Sequence, residues 1–229
     1  MKRICGVVLF LVMLFQLSAQ DKTRPTQPDL PGDFLIDYGF SFWNKKLSQL
    51  PVKPIGSNSV GFYYNRRLEI NDHISFHPAV GFGFEKYAFS GDYTWQNQAG
   101  VMTLDTIGSV TFSKNKLTAT YFEIPLELRI HPLGTVNGEG WFIGIGAIVG
   151  LKMGSHTKIK YDQAGETYKE KVYDTFDMQG YRYGLQFRFG FRSVHFYYKT
   201  YLSDVFKSGP EASGRVPRGS TIGINISGF

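Results

Sequence analysis

Apolar and polar residues alternate through most of this chain. Phe34, Ile36, Tyr38, Phe40 and Phe42 fall on one side of an extended backbone, while Leu35, Asp37, Gly39 and Ser41 fall on the other. Side chains on a strand point to opposite faces in turn, so a period of two predicts a strand with one apolar face. The pattern returns over residues 59–68, 74–89, 116–130, 140–152, 180–192, 194–204 and 220–229, which makes eight strands in all.

The connections carry as much information as the strands. Those after the second, fourth and sixth strands are short, at residues 69–73, 131–139 and 192–193; those after the first, third, fifth and seventh are long, at 43–58, 90–115, 153–179 and 205–219. In an up-and-down barrel, odd and even connections lie at opposite rims. One rim then has turns and the other long loops, the asymmetry of barrels inserted in a bacterial outer membrane. Two of the long loops alternate about a glycine-containing turn of their own, residues 93–112 about Gln98-Ala99-Gly100 and 158–173 about Gln163-Ala164-Gly165. Both read as hairpins that continue the wall above the membrane.

Alternation alone leaves open which face is outside, because a soluble lipocalin-like barrel would turn the same apolar face inward. The polar face, however, mixes glycines (Gly39, Gly81, Gly83, Gly144, Gly146, Gly150, Gly184, Gly190) with long charged side chains. That mixture suits the narrow lumen of an eight-stranded barrel, which side chains just fill. Tyr64, Trp141, Tyr181 and Tyr198 lie near strand ends on the apolar face, where an aromatic girdle meets the membrane interface. The expected fold is therefore all-β: an eight-stranded antiparallel up-and-down transmembrane β-barrel, apolar side out, with extended extracellular hairpins.

The first residues refine this picture. Lys2 and Arg3 precede an apolar run over residues 4–15, too short for the roughly 20 residues of a membrane-spanning helix, and residues 1–19 read as a secretory signal peptide cut after Ala19. Residues 20–32 hold three prolines and read as a periplasmic linker, leaving 33–229 as the barrel domain. The single cysteine, Cys5, belongs to the signal, so the exported chain has neither disulfide nor thiol chemistry. Of 25 Lys and Arg residues, 23 remain after the signal against 19 Asp and Glu, an excess too small and dispersed to imply nucleic acid.

The segment YFEIPLELRIHP at 121–132 resembles the signature strand of a Bacteroidota outer-membrane β-barrel family that includes PorT-like proteins. LEINDHISFHPAVGFG at 68–83 is similar to that family's short turn and following strand, residues 197–205 to its penultimate strand, and the signal ending LSAQ to its leaders. The resemblance spans essentially the whole exported chain. It implies a barrel fold and an association with type IX protein secretion and gliding. One departure concerns the C-terminus, where Phe229 is out of phase with Ile222, Ile224 and Ile226.

The main polar cluster is Glu85, Glu123, Glu127, Arg129, Arg182, Arg188 and Lys199, all on the lumen face. An unpaired charge there would be costly, so these residues are expected to form an ion-pair network that plugs the barrel. Glu123 and Glu127 are about 13 Å apart along their strand, too far for an acid/base pair, and His73 and His77 are too far apart to share a metal. Ser155 and His156 are adjacent, hence on opposite faces of a strand, which argues against a lipid-modifying Ser/His site. No catalytic residue, metal or cofactor is assigned. Lys158, Lys160, Lys169 and Lys171, with Trp95, are candidates for contact at the surface loops. The expected partners are outer-membrane lipid and lipopolysaccharide, and a protein at the loops or periplasmic turns. A structural or interaction role is the leading expectation; an outer-membrane lipid-modifying enzyme and a small-solute channel are the alternatives.

Overall fold

The computed structural model describes residues 32–98, 101–106, 110, 112–136, 140–163, 165–210 and 214–228. The signal peptide and all but the last residue of the linker lie outside these, as do Ala99 and Gly100 of the first hairpin turn, Ala164 of the second, and Phe229. The chain forms β1 (Asp33–Trp43), β2 (Asn58–Asn65), β3 (Leu68–Asn71), β4 (Ile74–Ala88), β5 (Tyr93–Gln98), β6 (Val101–Thr106), β7 (Phe112–Leu133), β8 (Trp141–Gln163), β9 (Glu166–Tyr173), β10 (Tyr181–Phe191), β11 (Val194–Tyr201) and β12 (Gly219–Ser227).

Eight of these close a ring of antiparallel neighbours in the order β1-β2-β4-β7-β8-β10-β11-β12, with β12 returning to β1 from Leu35↔Ser227 to Trp43↔Gly219. Closure satisfies every ladder without leaving an edge, which a strand structure inside lipid requires. Of the remaining elements, β3 and β9 extend the wall. β3 continues β2 and pairs with β4 through an irregular register. β9 pairs with the upper half of β8, and β5–β6 is a separate hairpin. Both predicted hairpins are therefore present, but only β8–β9 continues the wall as expected; β5–β6 forms a two-stranded sheet of its own and stands apart from the ring. The longer strands β7 and β8 start or end well beyond the predicted limits.

The outward face is apolar: Phe34, Tyr38, Phe40, Phe62, Ile143, Ile145 and Ile222 are each at least half exposed. Asp37, Glu123, Glu127 and Lys199 on the alternate positions are buried. This excludes the soluble alternative, since an inward apolar face would show the reverse. From Tyr181 to Phe191 the apolar band on β10 rises about 33 Å along the strand, or about 25 Å along the barrel axis at a tilt near 40°, the height of an outer-membrane hydrocarbon layer.

Two local features fix the wall. The β4–β7 ladder lapses opposite Pro125, which has no amide hydrogen to give, and resumes at Gly81↔Glu123 in the same register. In β8 a bulge at Met153 inserts one residue: Phe122 opposes Leu151 below it, and Thr120 opposes Gly154 above. One extra residue exchanges the inward and outward faces of a strand. Odd residues of β8 thus face outward up to Leu151, and even residues face outward from Gly154.

Strands approach closely at Gly146, where a Cβ would lie 2.2 Å from the Leu126 carbonyl oxygen; at Gly154 it would meet nothing within 4 Å. Gly146→Val is expected to destabilise the barrel by about 1–3 kcal/mol through overpacking, and Gly154→Ala to leave it unchanged. Urea unfolding of the protein in phosphatidylcholine vesicles measures both, and equal stability of the two variants would contradict the close approach.

Candidate functional site

The lumen is lined by inward positions of all eight ring strands, and seven of them, β1, β2, β4, β7, β10, β11 and β12, give side chains to a polar network. Arg182 on β10 is its centre, with Nη1 2.9 Å from Glu85 Oε1 and Nη2 2.7 Å from Glu123 Oε1. Its guanidinium also lies over the Tyr121 and Tyr201 rings, 3.5 and 4.2 Å from their centroids. Glu123 accepts the Tyr63 hydroxyl at 2.6 Å and that of Tyr201 at 3.1 Å. Lys199 donates to Tyr63 at 3.0 Å and pairs with Asp37 at 2.7 Å, and Asn225 donates to Asp37 at 2.5 Å. Arg188 spans Asp37 and Glu127, at 3.4 and 3.0 Å. Glu127 also accepts from Arg129 at 2.6 Å and from Gln186 at 2.8 Å.

Four carboxylates, Asp37, Glu85, Glu123 and Glu127, thus meet four cations, Arg129, Arg182, Arg188 and Lys199, and the buried set is neutral. β8 makes room for it with glycines: a Cβ at Gly144 would meet Glu127 Oε1 at 2.8 Å. The spaces left beside the network, one at Tyr87, Tyr121 and Arg182 and one at Asn65, His77 and Arg188, hold about 10 Å³ each. Neither admits more than about one water.

Above the network the long connections converge on an apolar cap. Trp43 lies 5.1 Å from Tyr87, 5.5 Å from Phe89 and 5.7 Å from Phe206, ring to ring, and Trp95 lies 5.9 Å from Phe176 and 5.8 Å from Phe206. Leu47, Leu50, Leu117 and Met178 complete it. Phe176 and Asp177 have φ of 49° and 51°, a left-handed conformation that a bulky side chain rarely takes. The complete burial of Phe176 in the cap holds it there.

The β8–β9 hairpin stands on the wall beside this cap. Its outward residues continue those of β7, so Lys116 opposes Lys158, which opposes Lys171, and one row higher Lys114, Lys160 and Lys169 do the same. Burial, and then the charges of Lys86, Lys114 and Lys158, push the Lys116 ammonium below its ordinary pKa. Burial, with Lys171 and Lys158, does the same to the His156 imidazole in the row beneath.

The sequence profile of the outer membrane protein beta-barrel domain matches residues 19–207. The chain belongs to that family. It is accordingly an outer-membrane protein, with its apolar band in lipid. No curated protein matches it. Among solved structures it is similar to the attachment invasion locus protein Ail of Yersinia pestis, at 9% identity and a TM-score of 0.36 over 87% of this chain and 100% of that one. A second structure of Ail, in complex with the heparin analogue sucrose octasulfate, is similar at 12% identity and a TM-score of 0.34 with the same coverage.

Within this outer-membrane barrel the seven charged residues singled out from the sequence all enter one network. Asp37 joins them as the acid shared by Lys199 and Arg188, and was legible as the acidic member of the polar face of the first strand. The alternation also places Tyr121, Tyr197 and Tyr201 on this face, and Tyr63 between the outward Phe62 and Tyr64; what the sequence did not show is that tyrosine hydroxyls and rings serve the charges. Lys152, a lumen-face residue in sequence, instead donates to the Thr175 carbonyl at 3.0 Å. Trp95 requires correction: it is 6% exposed, packed in the cap rather than offered at the surface, because β5 folds over the mouth. Lys158, Lys160, Lys169 and Lys171 do share one outward face. Ser155 and His156 diverge: the Ser155 hydroxyl donates inward to the Asp174 carbonyl at 2.5 Å, while His156 lies outward, 5.3 Å from the Tyr173 ring. His73 and His77 also separate, one bonded to the Gly134 carbonyl oxygen at the rim and the other to Asn65 and Ser75 in the lumen.

Arg182→Met leaves Glu85 and Glu123 buried without their shared cation and is expected to cost about 3–5 kcal/mol in urea unfolding. Adding Glu85→Gln and Glu123→Gln is expected to restore most of that loss. A triple variant less stable than the single one would show that Arg182 acts by filling space and not by pairing.

Proposed function

We propose that the protein is a non-enzymatic barrel that acts as a structural and interaction module of the outer membrane, exported by a cleaved signal peptide. The observation that carries this reading is the filled lumen. A neutral, fully interlocked charge set occupies the bore, and an aromatic cap covers its outer mouth, so solute passage would require both to come apart. Specificity then rests with the outer rim, where the β8–β9 hairpin extends the wall and the β5–β6 hairpin folds over the mouth. The divergence of Ser155 and His156 favours this reading over lipid modification, since a hydroxyl nucleophile needs its base within hydrogen-bonding reach. The YFEIPLELRIHP strand supports a more specific version, an accessory role in type IX secretion like that of PorT-like proteins of the Bacteroidota.

In cell fractionation the protein is expected in the outer membrane, starting at Gln20, with a gel mobility that changes on boiling. In planar bilayers it is expected to give no large, stable conductance steps; such steps would replace this reading with the channel. Cells lacking the protein are expected to retain type IX substrates, and normal release would remove the secretion role while leaving the interaction module.

A further inference from the structure

The outward face of β7, β8 and β9 changes character row by row above the lipid band. Phe122, Leu151 and Tyr181 lie at the level of the bulge. Above them come Thr120 and Gly154, then Thr118, His156 and Tyr173, then Lys116, Lys158 and Lys171, and finally Lys114, Lys160 and Lys169. Lysines directly opposite one another across a sheet repel, so two rows of three are unfavourable unless an anion joins them. No internal anion does so: among the described residues none of these six lysines takes part in an ion pair. The acids of the hairpin do not serve these rows: Glu166 and Glu170 alternate onto the face opposite Lys169 and Lys171. Glu170 accepts the Tyr161 hydroxyl on the opposite face at 2.9 Å, and Asp162, at the tip of the lysine face, accepts from Thr167.

A second feature lies directly beneath. At Leu151 β8 still pairs with β10, and from His156 it pairs with β9, so the wall divides between them. Below the division is a groove of about 380 Å³ in the outer face, lined by Phe122, Ile124, Val149, Leu151, Tyr181 and Tyr183. It opens to the hydrocarbon. The Lys116 row stands about 20 Å further along the strands, or about 15 Å higher along the membrane normal. Long lysine side chains can bend back toward the headgroups over part of that distance. An apolar groove below a basic surface on one continuous face matches an amphiphile with acyl chains and anionic groups above them, and in the outer leaflet of such a membrane that amphiphile is lipopolysaccharide.

We propose that this face is a lipopolysaccharide site, with an acyl chain in the Phe122–Tyr183 groove and the phosphate groups of the saccharide on the Lys116–Lys158–Lys171 and Lys114–Lys160–Lys169 rows. The site rests on the reading of the chain as an inserted barrel with its long connections outside the cell. It adds Lys114, Lys116 and the groove to the four lysines visible in the hairpin sequence, and it gives the bulge at Met153 a purpose, since the bulge turns Lys158 and Lys160 outward to meet Lys116.

The test uses the full exported chain refolded into phosphatidylcholine vesicles alone, or with intact lipopolysaccharide, dephosphorylated lipopolysaccharide or phosphatidylglycerol. It follows the temperature at which gel mobility changes. Intact lipopolysaccharide is expected to raise this temperature by about 5 °C, the scale of a ligand near a hundredfold above its Kd for a chain of this size. The dephosphorylated form and phosphatidylglycerol are expected to give little or no rise. Lys116→Gln/Lys158→Gln/Lys171→Gln is expected to match the wild type in phosphatidylcholine, because repulsion is relieved, and to lose the rise. Lys45→Gln/Lys46→Gln/Lys53→Gln, equal in charge but elsewhere, is expected to keep it. Where the first triple variant fails to insert, Lys158→Gln alone is expected to show a partial loss. A rise unchanged by the row substitutions, an equal rise with phosphatidylglycerol, or no rise would overturn the site. Absence of any mobility change in every lipid would instead overturn the inserted barrel.

Discussion

The structure depends on Arg182. A closed barrel with an apolar exterior has only its bore in which to hide polar side chains, and in a bore this narrow each charge is within reach of the next. Arg182 ties Glu85 on β4 and Glu123 on β7 to β10, across the ring and not along it. The Tyr121 and Tyr201 rings both pack against its guanidinium. Buried pairs recover their desolvation cost only where geometry is good and the remaining hydrogen-bonding capacity is used. The second oxygen of Glu123 is used by Tyr63, which passes the connection to Lys199 and Asp37. The network therefore acts as a set of cross-braces, and the four-against-four balance leaves no charge to attract an ion through the barrel.

The two ends of the bore are closed by different physics. Toward the outer rim the packing is aromatic and apolar, from Tyr87 and Trp43 to Phe206 and Trp95, and it depends on the loops to supply half of its members. Toward the short turns it is polar and compact: His77 with Asn65 and Ser75, and the Phe142 ring between Arg129 and His195. The cap needs long connections because apolar residues must fold back over charged ones, whereas the lower end is closed by residues already on the strands. Loop length follows from this division as much as from recognition.

Most of the wall was legible because the alternation has one cause, the lipid outside and the charges inside, and that cause acts on every strand alike. Legibility failed where the cause changes. Above the membrane the outward face is no longer apolar, so nothing in the residue types signalled that β7 begins at Phe112. At Met153 one residue inverts the phase of β8, and a period-two reading stops there although the strand does not. Trp95 looked like a surface aromatic on a hairpin because the sequence of a hairpin does not say which way it leans. The lumen tyrosines fell on the right face by alternation, but their part in the network was not legible: the ring fills space and the hydroxyl serves the charges, and residue type alone does not reveal the second role.

The same bulge connects the lumen to the surface. Below it β8 supplies Gly144, Gly146 and Gly150 to the bore, a face stripped of side chains so that Glu123, Glu127 and Arg182 fit. Had that phase continued, His156, Lys158 and Lys160 would point to the inner face, where Ser155, Thr157 and Ile159 are now buried, the last of them packed with Phe112 and Tyr161. Inverting the strand sends Ser155, Thr157 and Ile159 inward and the basic residues outward. One inserted residue therefore keeps three basic side chains off the inner face of the wall and at the same time assembles the lysine rows.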